Sequence, residues 1–207
     1  TRSSAVTGVQ TCALPISPIS LIVRNTDQRS RDYGNIAYTY RPGHADFTFD
    51  AKYGFRDYRG GGRSSGRETI GRVAAGAIAA KILETLGISF YTYTKSIGSV
   101  KIESFDAEEI SKNAFYMPDA KAAEAAGAYL EECMKNQDSA GGIIECRVDH
   151  MPAGIGETVF EKLDANLAKA ILSIGAVKGF EIGDGFEVVG SRGSRSEEHT
   201  SELQSQR

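Results

Sequence analysis

A helix with no polar face is stable in water only when other parts of the protein cover it. Residues Val73-Ala74-Ala75-Gly76-Ala77-Ile78-Ala79-Ala80 read as the body of such a helix. Ser65 and Glu68 stand at capping-box spacing, a serine with a glutamate three residues on, so the helix is predicted to open there. It should run to about Leu86, where Gly87 stops it. A chain with this element must build a layer around it, so the helix is expected to be central and covered.

What leads into that helix is its chemical opposite. Arg41, Arg56, Arg59, Arg63, Arg67 and Arg72 crowd into one stretch together with His44 and the run Gly60-Gly61-Gly62. The chain as a whole carries 24 Lys+Arg against 27 Asp+Glu, a net charge of -3. The positive charge is therefore local, which argues against a general nucleic-acid or membrane-surface binder. Arginines this close are expected to repel one another unless they share an anion. The glycines let a ligand approach bare main chain, and the first amides of the following helix point outward at the positive end of its dipole. Ser64 and Ser65 add hydroxyls, and Arg63 and Arg67 add fork-shaped donors suited to phosphate or carboxylate. A plain flexible loop before a capped helix would explain a bare Gly-Gly-Gly-x-Ser-Ser. An RNA-binding Arg-Gly-Gly element is disfavoured by a single copy in an acidic chain. No Gly-Lys-Ser/Thr follows, so the stretch is not a P-loop.

His44 follows the turn-forming pair Pro42-Gly43, so its side chain is presented from a loop. An imidazole exchanges protons near neutral pH. Asp46 either orients that ring or makes a salt bridge. His150 closes a strand and reads as structural. His44 and His150 lie far apart with no cysteine partners near them, so no metal site is expected.

The two ends read as translated sequencing adaptor. Thr11-Cys12-Ala13-Leu14-Pro15-Ile16 can be encoded ACG TGT GCT CTT CCG ATC. With the T that opens a Ser17 codon, the reverse complement encodes Arg195-Ser196-Glu197-Glu198-His199-Thr200. Unrelated protein segments have no reason to be antisense copies. Residues 1–17 and 195–207 are therefore set aside as artefact, and 18–194 is read as the central part of a single domain. The excluded ends carry three charges of each sign, so the balance does not change. Cys133 and Cys146 are the cysteines left, and they read as reduced thiols of a cytoplasmic protein. No run approaches the ~18 apolar residues of a membrane span.

Hydrophobic periodicity supplies the remaining elements. Ile19 to Arg24 is expected as a short strand, Asn25 to Ser30 as a turn, Arg31 to Tyr40 as a connector and Arg41 to Gly62 as loop with short extended pieces. Ile88 to Ile102 is a predicted strand broken near Gly98. Asp119 should cap a helix to about Asn136 with Ala122, Ala126, Leu130 and Cys133 on one face. Ile144, Cys146 and Val148 alternate with Glu145, Arg147 and Asp149, the mark of an antiparallel strand. A third helix is expected from Glu157 to Ile174, ended by Gly175, and a last strand from Phe180 to Val189. The class is α+β, helices packed on largely antiparallel strands.

The motifs Arg41 to Asp46 (RPGHAD), Lys52 to Thr69 and Arg72 to Ala79 resemble the central signature of the chorismate synthases. The segments Asn25 to Ser30, Gly154 to Glu157, Lys162 to Ala165 and Val177 to Phe186 look like that family's segments in the same order. The resemblance implies a β-α-β sandwich, with helices between largely antiparallel sheets, in a homotetramer. It implies a lyase that converts 5-enolpyruvylshikimate 3-phosphate to chorismate with reduced FMN, NAD(P)H serving only as a source of flavin reduction. By position, Arg63, Ser64 and Ser65 match the family's first FMN contact, and Gly175 and Ala176 the second. His44 matches the histidine beside the flavin. Arg41 and Arg67 match substrate-binding arginines, with Ser65 shared between the two ligands. Many members carry Asn where this chain has Gly175, so only backbone is left to contact flavin there. The family's N-terminal and C-terminal signatures are absent, so the chain reads as about half of an enzyme and as inactive alone. The competing reading is a non-catalytic flavin- or anion-binding module, which gives His44 no role.

Overall fold

The computed structural model describes residues 19–24, 33–34, 36–59 and 66–193. Within them the regular elements are α1 (Asp46–Tyr53), α2 (Thr69–Thr85), β1 (Ser89–Ile97), β2 (Val100–Lys101), α3 (Ala120–Lys135), β3 (Gly142–Asp149) and α4 (Leu163–Leu172). The class is α+β. The chain divides into two compact units, one of Thr1–Gly76 with Gly154–Arg207, the other Ala77–Ala153.

The Ala77–Ala153 unit is built on an antiparallel sheet of order β2-β1-β3. The aromatic and β-branched run Ser89–Ile97 suits a pleated, half-buried surface. It turns at Gly98, whose φ is +55° and which lies directly beneath the Tyr129 ring. The left-handed backbone favours glycine there, and a Cβ would press on the ring end of Tyr129. β3 pairs along β1 from Ser89 opposite Asp149 to Ile97 opposite Gly142, with a bulge between Thr94 and Ser96. Asp119 caps α3 as expected, its Oδ1 accepting from the amides of Lys121 and Ala122 at 3.0 and 3.2 Å. Its Oδ2 accepts from the amides of Glu103 and Ser104 at 3.0 Å each, so one carboxylate fixes both the helix start and the loop after β2. Four amide donors favour the charged form, and its pKa falls well below the ordinary carboxylate range, the Glu103 amide contributing most. The core of this unit is Met117, Ala122, Ala123 and Ala126, with Ile97, Val100, Ile102 and Phe115 packed against them.

Several expected elements differ. Residues 19–24 are exposed and irregular, not a strand. A strand is defined by its pairing, and the described residues offer this one no partner. The stretch read as loop contains helix α1, with Asp46 in its first turn, Lys52 in its last and Gly54 at φ +76° closing it. Those charges oppose the helix dipole at both ends, a signal the glycine and arginine content obscured. α2 is present and ends beside Gly87 as expected, but a short 3-10 turn, Gly66–Glu68, precedes it. No residue of α2 is buried, and Val73 is 72 % exposed. Its apolar surface meets no covering layer among the described residues, so the expectation of a covered helix is not met there. α4 begins at Leu163 rather than Glu157 because Gly154 and Gly156, at φ +88° and +94°, hold the preceding segment in a turn. Residues 180–189 are irregular and then a 3-10 turn, Gly185–Gly190, not a strand. Gly183 and Gly185 at φ +60° and +54° are left-handed and break extended backbone.

Candidate functional site

The first group of candidate residues sits on the turn that opens α1. Pro42 and Gly43 reverse the chain, with Gly43 at φ +72° and the His44 amide bonded to the Arg41 carbonyl at 3.2 Å. His44 is exposed, and its Nδ1 lies 3.1 Å from the Pro42 carbonyl oxygen. A carbonyl only accepts, so this contact is a hydrogen bond when Nδ1 carries the proton. The neutral ring then keeps Nε2 as the atom that takes up a proton. Asp46 does not orient His44. It accepts from Arg41 at three points: the backbone amide at 3.0 Å, Nε at 2.9 Å and Nη2 at 3.0 Å. Of the two roles open to Asp46 in the sequence, the salt bridge is the one formed. Those bonds, the Arg41 side chain first, hold the Asp46 carboxyl well below the usual carboxylate range, and Arg41 is raised in return. One edge of the Arg41 guanidinium is thus occupied, and among the described residues Nη1 and the second Nη2 proton are left to meet an anion.

Arg56 is nearly buried and works from beneath. Its Nη2 donates to the carbonyls of Ile36, Ala37 and Thr39 at 2.8, 3.0 and 2.9 Å. Its Nη1 lies 3.4 Å from Asp46 Oδ2 and its Nε 3.5 Å from Asp50 Oδ2. Sequence reasoning counted Arg56 among the arginines that needed an external anion. It is instead the post that ties the 36–39 turn to α1. Arg59 lies 3.8 Å from Asp57, and Arg72 2.9 Å from Glu68. Carboxylates of the chain itself therefore answer the repulsion among Arg41, Arg56, Arg59 and Arg72. Arginine density alone does not demand a ligand.

The second group lies at the start of α2. Residues 60–65, which include the candidates Arg63, Ser64 and Ser65, are outside the described residues. Arg67 is exposed in the 3-10 turn Gly66–Glu68 that leads into the helix. The third group, Gly175 and Ala176, follows α4. The helix ends at Leu172, capped by Ser173, rather than at Gly175, and the left-handed residue after it is Ala176, at φ +72°. A Cβ added to Gly175 would meet nothing within 4 Å, so the main chain there is open to a ligand.

The structure ties the start of α2 to the end of α4. Arg72 Nη1 donates to Ser173 Oγ at 2.8 Å and Nη2 to the Ser173 carbonyl at 3.2 Å, across 101 residues of sequence. Sequence reasoning missed this link, and no spacing rule could have supplied it. Among the described residues, the guanidiniums of Arg41 and Arg67 and the open main chain at Gly175 are groups whose chemistry suits the phosphate and ring edge of the flavin the resemblance implies. Among the described residues no group of His, Cys, Asp and Glu is arranged to hold a metal ion.

Residues 3–207 match the profile of the chorismate synthase family. Over 179 residues the chain is 64% identical to the chorismate synthase of Agathobacter rectalis, covering 86% of this chain and 49% of that protein. Over 173 residues it is 67% identical to the chorismate synthase of Lachnospira eligens, covering 83% of this chain and 47% of that one. A solved structure described as the crystal structure of chorismate synthase superposes with a TM-score of 0.66 at 30% identity, over 73% of this chain and 50% of its own. The chain spans about half the length of the curated relatives it matches.

Proposed function

The chain belongs to the chorismate synthase family, and we propose from that membership that the full-length protein catalyses the anti 1,4-elimination of phosphate from 5-enolpyruvylshikimate 3-phosphate. The C3–O bond to phosphate breaks, a hydrogen leaves C6, and chorismate results with no net oxidation. Reduced FMN, when bound, supplies transient electron density to an elimination that is slow without it. NAD(P)H enters only as a source of electrons for the flavin. The working enzyme is a cytoplasmic homotetramer. The present chain, half of that enzyme, is inactive alone because half a site cannot hold two ligands in register.

In this reading the free edge of Arg41 and the guanidinium of Arg67 hold the phosphate or carboxylates of the substrate. Asp46 keeps Arg41 from swinging away between turnovers. Residues 63–65, Gly175 and Ala176 hold the flavin, with Ser65 shared by both ligands. His44 moves a proton at Nε2 beside the flavin while its Nδ1 is held by the Pro42 carbonyl. The observation that carries the reading is the fixed presentation of His44, one turn away from the locked Arg41, within the segment that matches the family's central signature.

The test is His44→Ala in the full-length protein. Turnover should fall by roughly 10²–10⁴-fold, the usual contribution of a proton-transferring group, while reduced FMN still binds. Unchanged turnover would remove His44 from the mechanism and favour a flavin- or anion-binding module without catalytic use of that residue.

A further inference from the structure

We infer that Arg72 is a positioning residue for the cofactor: it clamps the end of α4 to the start of α2 and so fixes where the Gly175–Ala176 backbone leaves that helix. The inference rests on the reading of Gly175 and Ala176 as a flavin contact. Three observations carry it. Glu68, at the end of the 3-10 turn that leads into α2, accepts from Arg72 Nε at 2.9 Å on each carboxylate oxygen, which aims the guanidinium. The other two nitrogens both go to Ser173, one to its hydroxyl and one to its carbonyl. That hydroxyl in turn donates to the Ala170 carbonyl at 2.6 Å, so the serine cannot rotate without breaking a bond within α4.

The carbonyl at the end of a helix has no partner inside it and sits at the negative end of the dipole. A guanidinium from another element answers both needs and sets the direction in which the chain leaves α4. Three residues later Ala176 holds φ +72°, a left-handed conformation that is strained for an alanine and persists only where its surroundings enforce it. Glycine, which adopts that conformation freely, stands one position earlier at Gly175. The clamp at Ser173 and the Val177 amide, bonded to the Ile174 carbonyl at 3.3 Å, bracket the strained residue. Loss of the clamp lets Ala176 relax and frees the Gly175–Ala176 backbone from the start of α2.

The experiment uses the full-length enzyme with Arg72→Gln, Arg72→Lys and Ser173→Ala. The expected result is a rise of about 10-fold to 100-fold in the Kd for reduced FMN in Arg72→Gln, the range in which a small misplacement acts. The KM for the phosphorylated substrate at saturating flavin should hold within about twofold. Arg72→Lys should recover little, because one ammonium cannot serve Glu68 and both Ser173 acceptors. Ser173→Ala should reproduce part of the effect and add nothing in the presence of Arg72→Gln. In the flavin-free protein, hydrogen exchange at the Val177 amide should speed up in all three variants. An unchanged FMN Kd in Arg72→Gln, with wild type binding normally, overturns the positioning role and leaves the proposed function standing. Equal damage to FMN Kd and substrate KM in every variant also overturns it, in favour of a general structural role. If the wild-type enzyme itself binds no reduced FMN, both fall.

Discussion

The two compact units of this chain are held by different physics. In Ala77–Ala153 a small apolar core forms where α3 packs beside the β1–β2 hairpin, with Met117 fully buried at its centre. In the unit of Thr1–Gly76 and Gly154–Arg207, the described residues bury no apolar side chain. Its buried group is Asp46, gripped by Arg41 and Arg56. The residues matched to the family's ligands all lie in this second unit. A region organised by ion pairs, open glycines and backbone-directed arginines can accept an anion with small adjustments. A packed core would resist them, because interiors close-packed in rotamer minima deform poorly. The comparison places stability in one unit and adaptable chemistry in the other.

The largest effect should come from removing the core of the first unit. Met117→Ala deletes a side chain that is 0% exposed, and it should cost about 3 kcal/mol in that unit. Hydrogen exchange within α3 of the full-length protein would read it, and protection in α1 should be unaltered. Equal loss in both units would mean that they do not fold independently.

The charged unit should break at Asp46. Asp46→Asn leaves Arg41 and the nearly buried Arg56 without their shared carboxylate, though Asp50 remains 3.5 Å from Arg56. We expect a loss of about 2 kcal/mol, below the usual cost of breaking a buried pair because that second carboxylate stays. Faster exchange at the Phe49 and Gly54 amides would show it. Wild-type protection there would mean that the network is ornamental.

The smallest effect is the acid response. The folded-state pKa of Asp46 lies below that of the unfolded chain, ~4 for an aspartate. Its stabilisation is therefore complete above about pH 5 and drains as pH falls through and below ~4. Asp119 shifts in the same direction, so both units lose support in acid. Only the Ala77–Ala153 unit keeps an apolar core when its carboxylate is protonated. Between about pH 6 and pH 3, protection in α1 should fall before protection in α3. The opposite order would contradict the contrast between the units.

Much of this was legible in the residues. The hairpin broken at Gly98, helix α3 with its Asp119 cap and the alternating strand β3 follow from local rules: turn chemistry, capping and period. The candidate site was legible as composition, an arginine-glycine stretch and a histidine on a Pro-Gly turn, and as a run of motifs resembling one family. Asp46 was visible as a possible partner, but its choice of Arg41 over His44 depends on angles that spacing does not contain. Residues 19–24 and 180–189 were misread because β structure is a property of pairs, and apolar runs do not say whether a partner exists.

What the chain alone determined was therefore everything set by neighbours a few residues apart, together with the chemical character of the site. What only the tertiary structure decided was which carboxylate answers which arginine, that α2 stays uncovered among the described residues, and that Arg72 reaches Ser173. The physical reason is common to all three. Each depends on three-dimensional geometry that spacing does not contain, and a guanidinium with five donors can pair in many ways until the fold leaves one.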